Sequence, residues 1–595
     1  AGAGYEYQMA DNSYMRNGTG YYRYNSLDDF FNGAAPETVA LTYGYDGEEN
    51  PAARVRFNKL AAYGQDEWNI NEKFKLTAGL RIETILFNNK DIKTNKQIYE
   101  DYDFNGTRID TGKWPNARVQ FSPRVGFNWD VFGDRSLKIR GGSGLFTGRL
   151  PLVFFTNMPT NSGMIQNVTS ISTSYNDGVA KPDPLLANFA GDMITNVSDL
   201  IAKLNKLDAN RFPIASPENG VKPSTIAAVD PKFKMPQVWK TSIAADYAFP
   251  TSFPFSITGE FIFNKTVNGV RIKDLNLVPV EGFARLSGAD DRHIFPSTQH
   301  VVGKDNKGKD IMAPDYQYYK TSAYVLSNTN QGYGYSASIQ LNMQPVRGLD
   351  ISAAYTHTVS KELTGMPGSD ANSAFTYVPT VDGPNNPVLH NSQYVTPDRY
   401  FVSLAYDDKS DNHFGIFYEA WRGGYNYSYM YANDLNGDNY NYDAIYIPKN
   451  ADEIRFASAD DADRYWAFAA KDKYLKANKG KYAEAYSVYS PWTHRVDFRY
   501  AHDFKIRIGK TVNTLQLNFD LKNVLNVFNS SWGVSKQMNP ALKSGRILEV
   551  KKIDPDGVPV FKTPKAVNGN TQIWTPVHSI GQCWYAQVGI KYMFN

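Results

Sequence analysis

The stretch Phe74-Lys-Leu-Thr-Ala-Gly-Leu-Arg-Ile-Glu-Thr-Ile-Leu-Phe87 decides the fold of this 595-residue chain. Its even positions from Phe74 to Ile82 are apolar, whereas its odd positions from Lys75 to Glu83 are charged, hydroxylic or glycine. Because successive side chains of a β-strand point to opposite faces, this alternation predicts a strand with one apolar and one polar face. Such a strand separates an apolar medium from a polar one.

The same alternation recurs in distant parts of the chain. It is found in the segments 257–264, 495–500, 515–522 and 584–594. A soluble β-sandwich alternates in the same way, because each of its sheets has one buried and one solvated face. The alternation therefore predicts strands, and the connections between the strands must decide the fold class.

The predicted connections alternate strictly between short and long. Short turns are expected at 69–73, 132–136, 250–254, 345–348, 407–412 and 509–511. Long connections are expected at 89–118, 149–235, 273–322, 362–393, 428–492 and 529–581. Compact soluble domains rarely use structureless loops longer than about 15 residues, whereas outer-membrane barrels combine short periplasmic turns with long extracellular loops. The sequence therefore predicts an all-β fold, a transmembrane antiparallel β-barrel with about fourteen strands in this chain, among them strands at 1–9, 323–345 and 511–527.

One long loop is predicted to carry a helical insertion. Residues 459–488 place apolar side chains at approximately helical spacing, and Ser458 is a suitable N-cap. The expected apolar face consists of Ala462, Tyr465, Trp466, Ala469, Tyr474 and Leu475. We expect a loop helix packed on the barrel rim; a lid over the pore mouth is the alternative.

The composition excludes several other classes of protein. No run of about 18 apolar residues occurs, so no membrane-spanning helix is expected. The net charge of +3 gives no reason to expect a nucleic-acid partner. The single cysteine, Cys583, rules out a disulfide framework within the chain. No nucleophile or phosphate-loop motif is present, so we do not expect an enzyme.

Several segments resemble TonB-dependent outer-membrane receptors. Leu515–Asn529 resembles their penultimate strand, Gln587–Phe594 resembles their last strand, and Tyr63–Trp68 with Leu76–Arg81 resembles another strand pair. Other stretches are similar to the Oar-like branch of this family, found in Bacteroidetes: Ser122–Phe127, Leu145–Pro151, and Lys479–Glu484 leading to Ser490–Trp492. One departure is that Asn595 follows Phe594, whereas barrels of this family usually end on an aromatic residue.

The resemblance implies a larger architecture than this chain provides. The family's barrel resembles the 22-stranded transporters that are closed by a plug. Counting back fourteen strands makes the first strand here the ninth. We therefore expect residues 1–595 to be the C-terminal portion of one barrel domain, with the plug and the first strands outside the chain. The chain also opens on Ala1 without a signal-like segment, and we expect it to begin inside a longer protein.

The resemblance also implies a function and partners. It implies an outer-membrane transporter, surrounded by lipid and energised by TonB through the plug, with a surface lipoprotein or a secreted protein as a further partner. The substrate, and the choice between import and export, stay open. Two alternatives remain: a barrel-anchored surface adhesion or assembly protein, and a complete 14-stranded passive channel. The expected lumen-lining residues, taken from the polar faces of the strands, are Arg81, Glu83, Arg495, Asp497, Asp520 and Lys522.

The stretch Asp434-Leu-Asn-Gly-Asp-Asn-Tyr-Asn-Tyr-Asp443 is a candidate calcium site. Oxygen ligands on Asp434, Asn436, Asp438 and Asp443 could wrap a hard cation such as Ca²⁺. The pattern departs from an EF-hand, because the glycine is fourth and the closing Glu is absent. A polar loop with Asx-turns is the alternative interpretation, since Asn, Asp and Gly are favoured in such loops.

The run Tyr425-Asn-Tyr-Ser-Tyr-Met-Tyr431 alternates tyrosine with other side chains. It could form a surface on which a substrate stacks. The expected alternative is the aromatic girdle found where barrel strands leave the membrane, because tyrosine rings suit a surface that is half apolar and half wet.

Overall fold

The computed structural model describes residues 1–176, 179–304 and 308–594. Its main feature is an up-and-down sheet in which each of fourteen strands pairs antiparallel with the next along the chain. We call these strands the wall. They are β1 Gly2–Ser13, β2 Ala52–Asn69, β3 Phe74–Phe87, β4 Gln120–Asp130, β5 Leu137–Thr147, β6 Gln237–Ala248, β7 Phe255–Asp274, β8 Tyr333–Val346, β9 Leu349–Glu362, β10 Asp398–Asp407, β11 Asn412–Arg422, β12 Thr493–Ile508, β13 Thr511–Lys522 and β14 Tyr585–Met593.

The wall confirms the strand prediction, with three corrections. The strand expected at 323–345 is two strands, because Ser322–Thr329 pairs with the end of β7 and with Thr225–Val229 above the wall. The strand expected at 511–527 ends at Lys522, where Asn523 takes a left-handed backbone conformation and a short helix follows. The first strand extends beyond the expected residue 9, because its pairing with β2 continues to Ser13.

The two ends of the wall are open edges. In the described residues, β1 pairs only with β2, and β14 pairs only with β13. An edge strand presents a row of backbone N–H and C=O groups without sheet partners. The wall therefore has room for a further strand on each side.

The two faces of the wall differ in polarity. One face carries large apolar side chains that remain about half exposed along the whole sheet, and it includes Leu80, Ile243, Phe261, Ile339, Ile416 and Leu517. Aromatic side chains are also exposed on this face near the short turns, among them Trp68, Trp129, Tyr406 and Phe414. An exposed apolar band bordered by aromatic residues is the surface that a lipid bilayer requires of a barrel.

Membrane-spanning helices are not found in the described part of the chain, where no helix combines the required length and hydropathy.

Seven long connections form a layer above the wall, and six short turns lie at its other end. We call the long connections L1 to L7: 14–51, 88–119, 148–236, 275–332, 363–397, 423–492 and 523–584. The helices of this loop layer are Leu27–Phe31, Lys96–Asp101, Val153–Thr160, Val197–Leu207, Ala371–Thr376, Ala459–Ala469, Lys473–Ala477 and Val524–Phe528.

Short strands occur in the same layer; some pair within one loop, and others join two different loops. They are Tyr21–Arg23, Thr38–Gly44, Gln166–Ser172, Ser174–Asn176, Val179–Lys181, Thr225–Val229, Gln299–Lys304, Asp310–Pro314, Ser322–Thr329, His390–Asn391, Met430–Tyr431, Tyr446–Ile447, Arg455–Phe456, Lys481–Tyr482, Lys536–Met538, Arg546–Ile553, Pro559–Lys562 and Trp574–Pro576.

The buried apolar cores of the protein lie mainly in the loop layer. One core joins L2, L3, L4 and L5 to the upper ends of β2 and β7, and Phe155 and Ile226 are among its fully buried members. A second core joins L4, L6 and L7 around Tyr431 and Ile547. A third joins L1 to L3. The loop layer is therefore packed like a soluble domain, whereas the wall exposes its apolar side chains.

The helical insertion in L6 is confirmed in part. Two short helices, Ala459–Ala469 and Lys473–Ala477, occupy the first half of the predicted 459–488 range. The hydroxyl oxygen of Ser458 accepts a hydrogen bond from the backbone N–H of Asp461, as an N-cap does. Tyr465 and Leu475 are buried in the second core, so these helices are packed parts of the loop layer.

The face assignment predicts how substitutions on β8 affect stability. Replacing outward-facing Ile339 by Arg places a charge on the apolar band, and we expect a loss of about 2–4 kcal/mol in the free energy of unfolding. Replacing the neighbouring Gln340 by Arg adds the same charge to the polar face and is expected to cost much less. Urea unfolding of the protein in lipid vesicles measures both variants, and equal losses would contradict the assignment.

Candidate functional site

The polar face of β2 and β3 carries a compact charge cluster. The Arg81 guanidinium nitrogen Nε lies 2.7 Å from Glu83 Oε2, and the Lys59 ammonium lies 2.9 Å from Glu83 Oε1. Glu83 is buried at the centre of the cluster. Two of the six expected lumen-lining residues, Arg81 and Glu83, are thus paired on the face opposite the apolar band.

The other four expected residues lie on the same face, in β12 and β13. Lys522 Nζ is 3.0 Å from Asp497 Oδ2, and Asp520 lies opposite Arg499, with 3.9 Å between the charged atoms. The guanidinium of Arg495 lies over the ring of Trp421 at 5.6 Å from its centroid. All six residues therefore share the polar face.

The sequence prediction missed a further cluster at the middle of this face. Arg140 lies between Asp246 and Glu260, at 3.2 and 3.3 Å. Extending the period-two pattern through β5, β6 and β7 would have found it, because the three residues come from consecutive strands and share one face. The polar face is therefore lined with charges of both signs in at least three places.

Among the described residues, the most deeply buried charge lies in the loop layer. Arg292 in L4 has an exposed fraction of 0%. Its guanidinium donates to Asp290 Oδ1 at 2.9 Å and to Asp443 Oδ1 at 3.2 Å. A third hydrogen bond, to the carbonyl oxygen of Ala444, measures 2.6 Å. Arg292 thus joins L4 to L6 in the middle of the second core.

Aromatic rings complete the surroundings of Arg292. Its guanidinium lies 5.0 Å from the ring centroid of Tyr431 and 5.5 Å from that of Tyr482. The Tyr431 hydroxyl donates to Asp290 at 2.9 Å, and its ring stacks on Phe561 of L7. Burial lowers the pKa of Arg292, but Asp290, Tyr431 and Asp443 together outweigh burial, so the pKa of Arg292 is raised. The guanidinium therefore stays charged.

The tyrosine run of L6 does not form the expected girdle. Tyr429 and Tyr431 are fully buried in the second core, and the Tyr429 hydroxyl donates to Asp472 at 2.8 Å. Burial raises the pKa of both phenols well above the usual value. The girdle interpretation was wrong because β11 ends at Arg422 and the run turns into the loop layer. Tyr425, at the start of the run, is 47% exposed.

The candidate calcium residues lie together in L6, and most of their oxygen atoms accept hydrogen bonds. Asp434 accepts from the backbone N–H groups of Gly437 and Asn439, both at 2.7 Å. Asp438 accepts from the N–H of Tyr440, and Asp443 accepts from that of Leu435, both at 2.8 Å. These bonds correspond to the Asx-turn alternative.

Burial, together with the neighbouring Asp443 and Asp434, raises the pKa of Asp438 to about 8. Within the described residues, no three acidic, histidine or cysteine side chains are arranged to hold a metal ion. Calcium binding by Asp434, Asn436, Asp438 and Asp443 stays a prediction. A calcium titration followed by hydrogen exchange of residues 434–443 would test it.

The chain matches the family described as the outer membrane beta barrel domain over residues 1–549. It belongs to this family. The apolar face of the wall therefore faces the lipid of the bacterial outer membrane, and the short turns and long loops lie on opposite sides of that membrane. No curated protein matches the chain in sequence.

Two solved structures of similar topology are distant in sequence. The outer membrane transporter YddB from Escherichia coli is 12% identical, with a TM-score of 0.44, over 99% of this chain and 51% of that one. The FrpB iron transporter from Neisseria meningitidis (F5-1 variant) is 11% identical, with a TM-score of 0.35, over 88% of this chain and 48% of that one. The chain spans about half the length of these structures.

The buried network around Arg292 makes a prediction about the loop layer. Replacing Arg292 by Met leaves Asp290 and Asp443 buried without their partner, and we expect a cost of about 3–5 kcal/mol. Replacing Arg285 by Met is the matched control, because Arg285 is in the same loop and its pair with Asp291 is exposed. That change should cost less than about 1 kcal/mol.

Hydrogen exchange of the loop-layer amides measures both changes. The N–H of Tyr431, which donates to the carbonyl of Asp443, is a suitable probe because it lies beside the network. If the Tyr431 amide exchanges as slowly in the Arg292 variant as in the Arg285 variant, the structural role of Arg292 is contradicted.

Proposed function

We propose that the chain is the wall of an outer-membrane transporter that moves a water-soluble substrate. The observation that carries the proposal is the charge-lined face opposite the apolar band. This face carries Arg140, Glu83, Asp497 and their partners. It must border either lipid or water, and burying charged groups in the hydrocarbon core of a membrane costs free energy. The polar face therefore lines a hydrated interior through which the substrate passes.

The open edges support the second part of the proposal. Unpaired strand edges are not tolerated within lipid, because no water is present to satisfy their backbone groups. We therefore propose that further strands outside residues 1–595 pair with β1 and β14 and close the barrel. The resemblance to TonB-dependent receptors suggests a barrel of 22 strands, with a plug through which TonB energises transport.

A surface adhesion or assembly protein anchored by the barrel is the second candidate. The observation that favours it is the loop layer, which has buried cores of its own and would be a stable platform for another protein. A surface lipoprotein or a secreted protein would be the partner under either function. A passive channel of only fourteen strands would need β1 to pair with β14, and the described strands are not paired in this way.

Labelling of single cysteines in the outer membrane distinguishes these functions. In a Cys583→Ser background of the whole natural protein, Gln340→Cys places a thiol on the polar face and Ile339→Cys places one on the apolar band. Under the transporter proposal, a water-soluble, membrane-impermeant maleimide reacts with the first thiol and not with the second. If TonB energises the protein, a protonophore should slow the reaction in living cells.

Each other outcome supports a different conclusion. Two unreactive thiols would indicate a sealed interior and favour the anchor function. If the protonophore does not change the rate at which Gln340→Cys is labelled, the result favours a passive channel. Labelling of Ile339→Cys alone would overturn the assignment of the two faces.

A further inference from the structure

Three clefts in the loop layer share lining residues. The first has a volume of about 920 Å³ and lies between L1, L2, L3 and L5. The second, of about 290 Å³, lies between L5, L6 and L7, and Tyr377 lines both of these clefts. The third, of about 640 Å³, lies between L6, L7 and the upper ends of β11 and β12, and it shares Tyr425 and Tyr427 with the second. The three clefts are therefore adjacent, and we call them together the groove.

The first cleft is lined mainly by side chains that form hydrogen bonds without carrying a charge. Amide and hydroxyl groups dominate, as in Gln97, Asn161, Asn210, Ser224 and Thr225. Such a lining offers both donors and acceptors. It therefore suits a ligand that is rich in hydroxyl groups.

Positive charge exceeds negative charge in the first cleft. Arg16, Arg211 and Lys222 line it, whereas Asp370 is the one acidic lining residue among the described ones. Asp370 caps the helix Ala371–Thr376, since its Oδ1 accepts from the N–H of Asn372 at 3.0 Å. Arg211 and Lys222 have partly exposed acidic partners outside the lining, and such surface pairs are weak.

Exposed tyrosine rings line the second cleft. Tyr394 is 66% exposed, Tyr425 is 47% exposed and Tyr377 is 46% exposed. The ring of Tyr377 stacks on Tyr442 at 5.2 Å between centroids, and Tyr394 meets Tyr425 edge to face at 5.7 Å. These contacts hold the rings in place while part of each ring still faces the cleft, so a ligand finds fixed flat surfaces on which to stack.

The second and third clefts also carry positive charge. Arg546 lines the second cleft with its guanidinium 5.2 Å from the ring centroid of Tyr442, and Lys536 and Lys543 line the third. Among the described lining residues of these two clefts, none is acidic. Cations are therefore spaced along the whole groove.

We propose that this groove binds an acidic oligosaccharide. A sugar ring has one face of C–H groups that can stack on tyrosine, and it has hydroxyls that can bond to amide and hydroxyl side chains. Its carboxylate or sulfate groups can meet the spaced cations. The proposal rests on the transport function, because it names the class of the transported substrate.

An acidic peptide is the competing ligand, and the lining favours the sugar. An extended peptide is usually recognised through a row of apolar pockets for alternate side chains together with an exposed strand edge. The first cleft is instead dominated by amides and hydroxyls. An oligosaccharide has hydroxyl groups on every ring and can therefore form hydrogen bonds with such a surface along its whole length.

Binding to the whole natural protein in detergent tests the proposal by titration calorimetry. The acidic probes are tetragalacturonate and a sulfated chondroitin tetrasaccharide; the comparison probes are neutral maltotetraose and tetraglutamate. We expect at least one acidic sugar to bind more tightly than both comparison probes. Its affinity should fall as salt is raised, because salt screens exposed charges.

Matched variants locate the binding site. Tyr394→Ala removes an exposed ring and should weaken binding about tenfold, whereas Tyr394→Phe keeps the ring and should bind almost normally. Tyr99→Ala removes a similarly exposed ring outside the groove and should have no effect. The double variant Lys536→Gln/Lys543→Gln should also weaken binding and reduce its salt dependence, with Lys96→Gln as its control.

Three results would overturn the proposal: no binding of either acidic sugar, equal binding of maltotetraose, or tighter binding of tetraglutamate, which would identify a peptide groove. Groove variants that bind like their controls would place the site elsewhere. Cysteine labelling of the polar face is independent of any sugar. If an acidic sugar binds but the polar face is not labelled, the sugar-binding groove is supported and the transport function is contradicted. If the polar face is labelled but no acidic sugar binds, the transport function is supported and the sugar-binding groove is contradicted.

Discussion

In the hydrocarbon core of a membrane, every backbone N–H and C=O group must find its partner within the protein. The wall meets this constraint by pairing each strand with its neighbour in sequence, from β1 to β14. The constraint also fixes the two faces, because strands that separate lipid from water must alternate residue by residue. The same constraint is the reason for our proposal that further strands pair with the two outer edges of the wall.

The loop layer is subject to a different constraint, because it lies in water and must bury its apolar side chains in its own cores. There, apolar side chains are buried, and the buried charge of Arg292 is paired with Asp290 and Asp443. Arg292 is the extreme case, since its charge is surrounded by two carboxylates, a carbonyl and two tyrosine rings. A buried ion pair of this kind adds little net stability compared with apolar packing, but it tolerates only one arrangement of its partners. Its geometry thus specifies how L4 and L6 meet.

Much of the wall could be predicted from the sequence, because its signals are local. The alternation at 74–83 is visible in ten consecutive residues, and all six short turns fall where they were expected. The strand Ser322–Thr329 was misjudged because its partners are the end of β7 and Thr225–Val229, and no local pattern reports such pairings.

The contacts within the loop layer could not be predicted from the sequence for the same reason. Tyr429 and Tyr431 alternate as girdle residues would, but contacts with L4, with L7 and with the helices of L6 bury them. Arg292 follows Asp290 and Asp291 in what reads as an ordinary solvated loop. The expected lumen-lining residues could be predicted because they follow the two-residue alternation of the strands. The groove could not be predicted, because its lining residues come from six of the seven loops.

The bond between Arg292 and Asp443 joins residues 151 positions apart, and several wall strands lie between them. In a free chain, closing so long a loop around one buried charge would be slow and entropically costly. Once the wall is in the membrane, the ends of β7, β11 and β12 already hold L4 and L6 close together. This topology therefore predicts that the loop layer completes its cores only after the wall has formed.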